Sequence, residues 1–192
     1  MTLAPRTGVT GYCAPYDPAG VKKLAGDRIR LTATKTRSAG LLGPFIKEPC
    51  RVTVEVTGAL HALHPLAVFA VWTYDDSTKN EVDLIEATRW GDRNNPYLYY
   101  LTSYAAGVKD GQVKFLGRAF NRHKIVSEFG VDGKQTTRVY GWWQGREWKE
   151  VASYTSHWWP GQLRIALWTH QEIEDALGPC SVVVERVDVS PL

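Results

Sequence analysis

Glu81-Val82-Asp83-Leu84-Ile85-Glu86 sets three carboxylates within six residues, interleaved with apolar side chains that read as a buried β-strand. Acids are depleted from strands, and a carboxylate removed from water needs a partner or a raised pKa. Such a cluster suits acid–base and nucleophilic work, because one carboxyl can hold its proton while another stays ionised. Strand side chains alternate between faces, so Glu81 and Asp83 share one face and Val82 and Leu84 the other. Glu86, three residues after Asp83, falls on the wrong face of a regular strand. One extra residue near Ile85, inserted as a β-bulge, brings all three acids to one face. Four effective steps then separate the Cα atoms of Glu81 and Glu86 by roughly 13 Å, and side chains leaning together bring the carboxyls to roughly half that. Retaining glycoside hydrolysis uses two carboxyls about 5 to 5.5 Å apart, and the wider inverting spacing is also within reach.

The surrounding elements read as strands. Val52, Val54 and Val56 alternate with Arg51, Thr53 and Glu55, and Asp27–Thr32 repeats the pattern. Leu66-Ala67-Val68-Phe69-Ala70-Val71-Trp72 is continuously apolar, as a strand covered on both faces would be. Asp75–Thr78 and Asp92–Pro96 punctuate the acidic strand on either side, and Tyr97–Tyr104 predicts another strand. Asp110-Gly111 and Asp132-Gly133 are hairpin-turn signals, flanking strands at Gln112–Leu116 and His123–Phe129. Further strands are expected at Arg138–Trp143, Leu163–Trp168 and Ser181–Val189, with Gln144-Gly145 a turn and Gln171–Leu177 a short helical turn. Many short strands with closely spaced turns predict an all-β sandwich of two antiparallel sheets.

At 192 residues the chain fits one domain, residues 1–192, and its 44% hydrophobic content supports a core. Eight Trp and nine Tyr exceed what core filling usually needs and suggest a sugar-binding surface or unusually bulky packing. The net charge of +3 is dispersed, without a basic run that could track a nucleic-acid backbone. Nucleic acid is therefore excluded as a partner, and the lack of an 18-residue apolar stretch argues against a membrane-spanning helix. Cys13, Cys50 and Cys180 lack metal-ligand spacing and are expected as small buried hydrophobes.

The acidic motif resembles the catalytic signature of glycoside hydrolase family 16, the endo-acting β-glucanases and galactanases with a concanavalin A-like jelly roll. Phe69-Ala70-Val71-Trp72, Phe120-Asn121-Arg122-His123, Pro160–Trp168 and Val184–Val189 resemble its flanking segments in the same order. The resemblance implies a β-jelly-roll fold in which Glu81 is the nucleophile, Glu86 the acid/base and Asp83 the residue that orients Glu81. It also implies a polysaccharide substrate, no required cofactor and, on the convex side, a structural Ca²⁺. Trp90, four residues after Glu86, and Trp168, opposite the inward Leu163, Ile165 and Leu167, are candidates to stack on sugars, as is Trp72 beside the acidic strand. Tyr99, Tyr100, Arg89 and Arg164 are candidates for hydroxyl or charge contacts. His123 is expected buried and bonded to backbone. Asn80 stands where many members have Gly, Phe129 where many have Trp, and Tyr97–Tyr104 lacks the His of many β-1,3-glucanases. Met1–Arg6 has no apolar signal-peptide core, yet a polysaccharide substrate points to an extracellular or cell-envelope protein, expected as a monomer. A jelly-roll lectin without turnover and a transglycosylase using the same site are the alternatives.

Overall fold

The structure, a computed structural model, describes residues 3–10, 13–116, 119–169 and 180–192. Its strands in chain order are β1 (Ala4–Pro5), β2 (Gly8–Thr10), β3 (Cys13–Tyr16), β4 (Val21–Lys23), β5 (Ile29–Ala33), β6 (Ala39–Ile46), β7 (Cys50–Thr57) and β8 (Ala67–Tyr74). There follow β9 (Glu81–Ala87), β10 (Tyr97–Ala105), β11 (Val108–Leu116), β12 (Arg122–Phe129), β13 (Lys134–Trp143), β14 (Glu147–His157), β15 (Gly161–Thr169) and β16 (Cys180–Pro191). No α-helix occurs among the described residues, and the helical turn expected at Gln171–Leu177 lies outside them.

Two seven-stranded antiparallel sheets form the jelly-roll sandwich, in the orders β1-β6-β15-β8-β9-β10-β11 and β14-β13-β12-β7-β16-β5-β4. Alternation explains why they stack. Val52, Val54 and Val56 of β7 are buried, whereas Arg51, Thr53 and Glu55 keep a wet outer face. Opposite them, Phe69 and Val71 of β8 and Leu163, Ile165 and Leu167 of β15 complete the core between the sheets. Burying each large aliphatic side chain stabilises the sandwich by about 1.5–3 kcal/mol. The first sheet is unusual in being covered on its outer face too. Val68, Ala70, Trp72, Ala166 and Trp168 make a second apolar cluster there with Tyr16 of β3.

Several expectations from the sequence need correction. The β10–β11 turn falls at Ala106-Gly107, both in the left-handed region, rather than at Asp110-Gly111. Hydrogen bonds fix it there: Ala106 N donates to Asn80 Oδ1 and Gly107 N to Lys79 O. Gly111 is instead a strand residue whose missing side chain admits the Tyr154 hydroxyl. His123 is buried, but its partner is the Tyr99 side chain, not backbone. Cys50 is buried and Cys180 half-buried, both as free thiols; the side chain of Cys13 lies outside the described residues.

Candidate active site

β9 carries the acids, and its pairing on both sides contains one extra residue. Against β8, Ile85 faces Val71 while Asp83 faces Trp72, so Leu84 has no counterpart. Against β10, Glu86 faces Tyr100 while Asp83 faces Thr102, so Leu84 and Ile85 are set against Leu101 alone. The consequence is visible in burial: Val82, Leu84, Ile85 and Ala87 all enter the core between the sheets. Glu81, Asp83 and Glu86 accordingly share the opposite face.

Cross-strand register sets the neighbours of each acid. Glu81 lies between Tyr74 and Tyr104, in a row that Gln162 extends to one side and Lys109 to the other. Asp83 lies between Trp72 and Thr102, with Arg164 beyond the Trp and Gln112 beyond the Thr. Glu86 lies between Ala70 and Tyr100, flanked by Ala166 and Lys114. The small side chains of Ala70 and Ala166 leave that rung low, and the indoles of Trp72 and Trp168 meet edge to face over the same cluster, with centroids 5.7 Å apart.

Burial shifts all three acids upward, but unequally. Glu86 is pushed up to about 8, first by desolvation and then by the charge of Glu81, with Lys109 acting against both. Asp83 is raised well above the ordinary carboxyl range by desolvation, by the charges of Glu86 and Glu81, and by the hydrogen bond it shares with Glu81. Glu81 is raised by desolvation, but that hydrogen bond and the charges of Arg164 and Arg6 favour its ionised form. Glu81 alone of the three combines a hydrogen-bond donor with guanidinium charge, so it is the first to lose its proton. Asp83 is shifted furthest toward its protonated form, the form that can donate to Glu81, and Glu86, at about 8, keeps its proton at neutral pH.

The binding candidates separate into groups. Arg164 is only 7% exposed; its Nη2 donates to Asp76 Oδ2 at 2.7 Å and its guanidinium lies 4.6 Å from the Tyr74 ring centroid. Trp72 and Trp168 reach the same face as the acids, but at 7% and 6% exposure they are mostly covered. Trp90 is 44% exposed and sets its edge against Tyr100. It does not get there by strand alternation, since β9 ends at Ala87 and Trp90 has a positive φ of 51° in the following turn. Tyr99 is a correction. It pairs with Ala87, faces the core, is fully buried, and its hydroxyl bonds His123 Nε2 at 2.9 Å. Burial, with His61 adding to it, holds His123 down at about 4, so the ring is neutral.

Tyr100, a candidate beside Tyr99, does lie on the face of the acids, opposite Glu86, after a register shift between Tyr97 and Tyr99. Tyr74 was legible two residues after Trp72, on the same face. Arg6 and Tyr16 were not. The Arg6 guanidinium lies 4.2 Å from the Tyr16 ring centroid and 5.7 Å from that of Trp72. Its backbone N donates to Gly40 O at 2.8 Å, and a side chain at Gly40 would strike the Tyr16 ring at 2.9 Å. Glycine at position 40 thus lets the N-terminal segment lie against the sheet. Among the described residues no group of three or more His, Cys, Asp or Glu is arranged to hold a metal ion.

No protein-family model and no curated protein matches the chain by sequence. Solved structures do match by fold. An immunostimulatory antigen and pseudo β-1,3-glucanase of Mycobacterium tuberculosis aligns with TM-score 0.72 and 14% identity, over 99% of this chain and 91% of that one. SCLam, a non-specific endo-β-1,3(4)-glucanase from glycoside hydrolase family 16, aligns with TM-score 0.69 and 13% identity over 97% and 83%. β-Agarase A from Zobellia galactanivorans aligns with TM-score 0.64 and 10% identity over 98% and 82%. The acid-bearing bulged strand therefore sits in a jelly roll of the glycoside hydrolase family 16 type.

Proposed function

We propose that the protein is a retaining endo-β-glycosidase that cleaves a polysaccharide, a β-glucan or β-galactan, outside the cell or in its envelope. The observation that carries the reading is the bulge at Leu84, which gives Glu81, Asp83 and Glu86 one face while Leu84 and Ile85 both fill the core. Ionised Glu81 attacks the anomeric carbon as the glycosidic C–O bond breaks, and Glu86 passes its proton to the departing oxygen. The glycosyl ester formed on Glu81 is neutral. Its formation removes one of the two influences that raise Glu86, so the acid of the first step becomes a better base for the second. Glu86 then takes a proton from water, which attacks the same carbon and releases Glu81. Asp83 hydrogen-bonds Glu81 and stabilises its charge in the free and leaving states.

Incubation with a panel of β-glucans and β-galactans, with reducing ends counted, tests the reading. Wild type is expected to generate new ends, and Glu81→Gln to lose at least about 10³-fold in kcat while still binding glycan. Turnover by Glu81→Gln at the wild-type rate would remove Glu81 as nucleophile. A second reading, a cleft that binds glycan without cleaving it, is favoured by the heavy covering of Trp72 and Trp168 and by the pseudo-glucanase among the structural neighbours. Binding without new reducing ends would select it.

A further inference from the structure

Two arginines converge on the Glu81 end of the acid row, and neither is fully used by its surroundings. Arg164 is buried on the outer face of β15; one of its nitrogens donates to Asp76, whose side chain is 77% exposed, while its Nε is buried without a hydrogen-bond partner. Arg6 arrives from the N-terminal segment, stacked against Tyr16 and Trp72, with Nη1 likewise buried and unpartnered. Unsatisfied buried N–H groups are costly, and more so when they belong to a charged group. A site that retains two of them beside its nucleophile is built for an acceptor that arrives with the ligand.

We propose that this end of the site takes a glycan bearing an anionic substituent, a sulfate ester or a carboxylate, and that Arg164 and Arg6 select it. The inference rests on the glycosidase reading and names its substrate class. A sugar hydroxyl can accept from one N–H, but the planar guanidinium fork matches the paired oxygens of a sulfate or carboxylate. The aromatic walls hold both forks in place. Arg164 is backed by Tyr74, and Arg6 lies against Tyr16, which itself packs on Gly40. Without these cations an anionic sugar at the β8–β15 side of the row would meet the carboxylates of β9, since Lys109 and Lys114 lie on the opposite, β11 side. The arginines also favour ionised Glu81. That second role predicts equal losses on charged and neutral substrates, so substrate charge separates the two.

The test uses two pairs of oligosaccharides: a sulfated β-galactan with its desulfated parent, and a β-glucan oxidised to the uronic acid at C6 with its unoxidised parent. Affinities are read from tryptophan fluorescence in Glu86→Gln, which keeps Glu81 and both arginines, and kcat/KM is read in wild type. At least one anionic ligand should bind about tenfold or more tighter than its parent. The arm that shows the preference identifies the group, and raising salt from about 0.05 to 0.5 M should shrink it. Arg164→Gln and Arg6→Gln should bring the anionic-to-neutral ratio toward one. Equal affinity for charged and neutral members of both pairs overturns the proposal, as does an arginine variant that weakens both members equally. Because the affinity ratio and its salt dependence need no arginine variant, the proposal stays testable if those variants misfold. Anion-selective binding with no new reducing ends in wild type sinks the glycosidase reading alone, whereas cleavage of neutral glycans without anion preference sinks this inference alone.

Discussion

The division of labour among the acids depends on unequal surroundings for chemically similar groups. Glu81 has a hydrogen-bond donor and two guanidinium charges in its favour, while Glu86 has only Lys109. A pH profile should report this directly. kcat/KM is expected to fall on the alkaline side near 8, where Glu86 loses the proton it must deliver. Glu86→Gln should lack that limb and turn over at least about 10²-fold more slowly on substrates with poor leaving groups. An alkaline limb that survives in Glu86→Gln would assign it to another group. The pairing of acids was legible from residue types alone, and the alternation of β9 assigned their faces once an extra residue was allowed. The help that Glu81 receives from Arg6 was not, since nothing near position 6 marks a residue that folds back over a sheet formed by strands far along the chain.

The bulge is where the element decides the function. A regular strand would turn Ile85 toward the site and Glu86 into the core; the observed pairing puts both Leu84 and Ile85 inside. Ile85→Ala is therefore expected to destabilise the protein by about 2–5 kcal/mol, the range for a large-to-small core change, measured by chemical denaturation. A loss below about 1 kcal/mol would mean that Ile85 is not a core residue and that the bulge is wrong. Neighbouring strands show how far alternation can be read. Val52, Val54 and Val56 faced inward as their spacing required. Tyr99 and Tyr100 could not be told apart by residue type; the irregularity of β10 after Tyr97 sends Tyr99 into the core and leaves Tyr100 beside Glu86. Tyr99 then has a different task, holding neutral His123 in the core. Tyr99→Phe should cost about 1–3 kcal/mol by leaving the imidazole nitrogen without a partner. Asp110-Gly111 misled for a related reason: the turn residues suit a hairpin, but Asn80 and Lys79 anchor the chain reversal at Ala106-Gly107 instead.

Across the whole molecule, the burial of the acid row makes stability depend on pH. Glu86 binds its proton more tightly folded than unfolded, so between 4.5 and about 8 the native state holds more protons and stability falls as pH rises. His123, held at about 4 against an ordinary 6.5, binds fewer protons folded and contributes the opposite slope between those values. The difference between Glu86→Gln and wild type isolates the first effect. The variant should gain in thermal midpoint relative to wild type as pH rises from 4.5 to about 8, and a constant difference would show that Glu86 titrates normally. The sandwich itself was legible because strand alternation and turn residues recur along most of the chain. Its covered outer face was legible in the apolar run Leu66–Trp72, which calls for a strand covered on both faces; what covers it was not, because that depends on Gly40 admitting Tyr16 and Arg6 from the N-terminal segment. If the acid row cleaves a β-glycosidic bond through an ester on Glu81, as proposed, the product is released with its β configuration retained. A proton NMR time course of the anomeric signals, recorded as wild type digests a β-glucan or β-galactan, tests it most directly. The β-anomer should appear first and the α-anomer only later by mutarotation; α-anomer as the first product, or no new anomeric signals from any glycan of the panel, would contradict it.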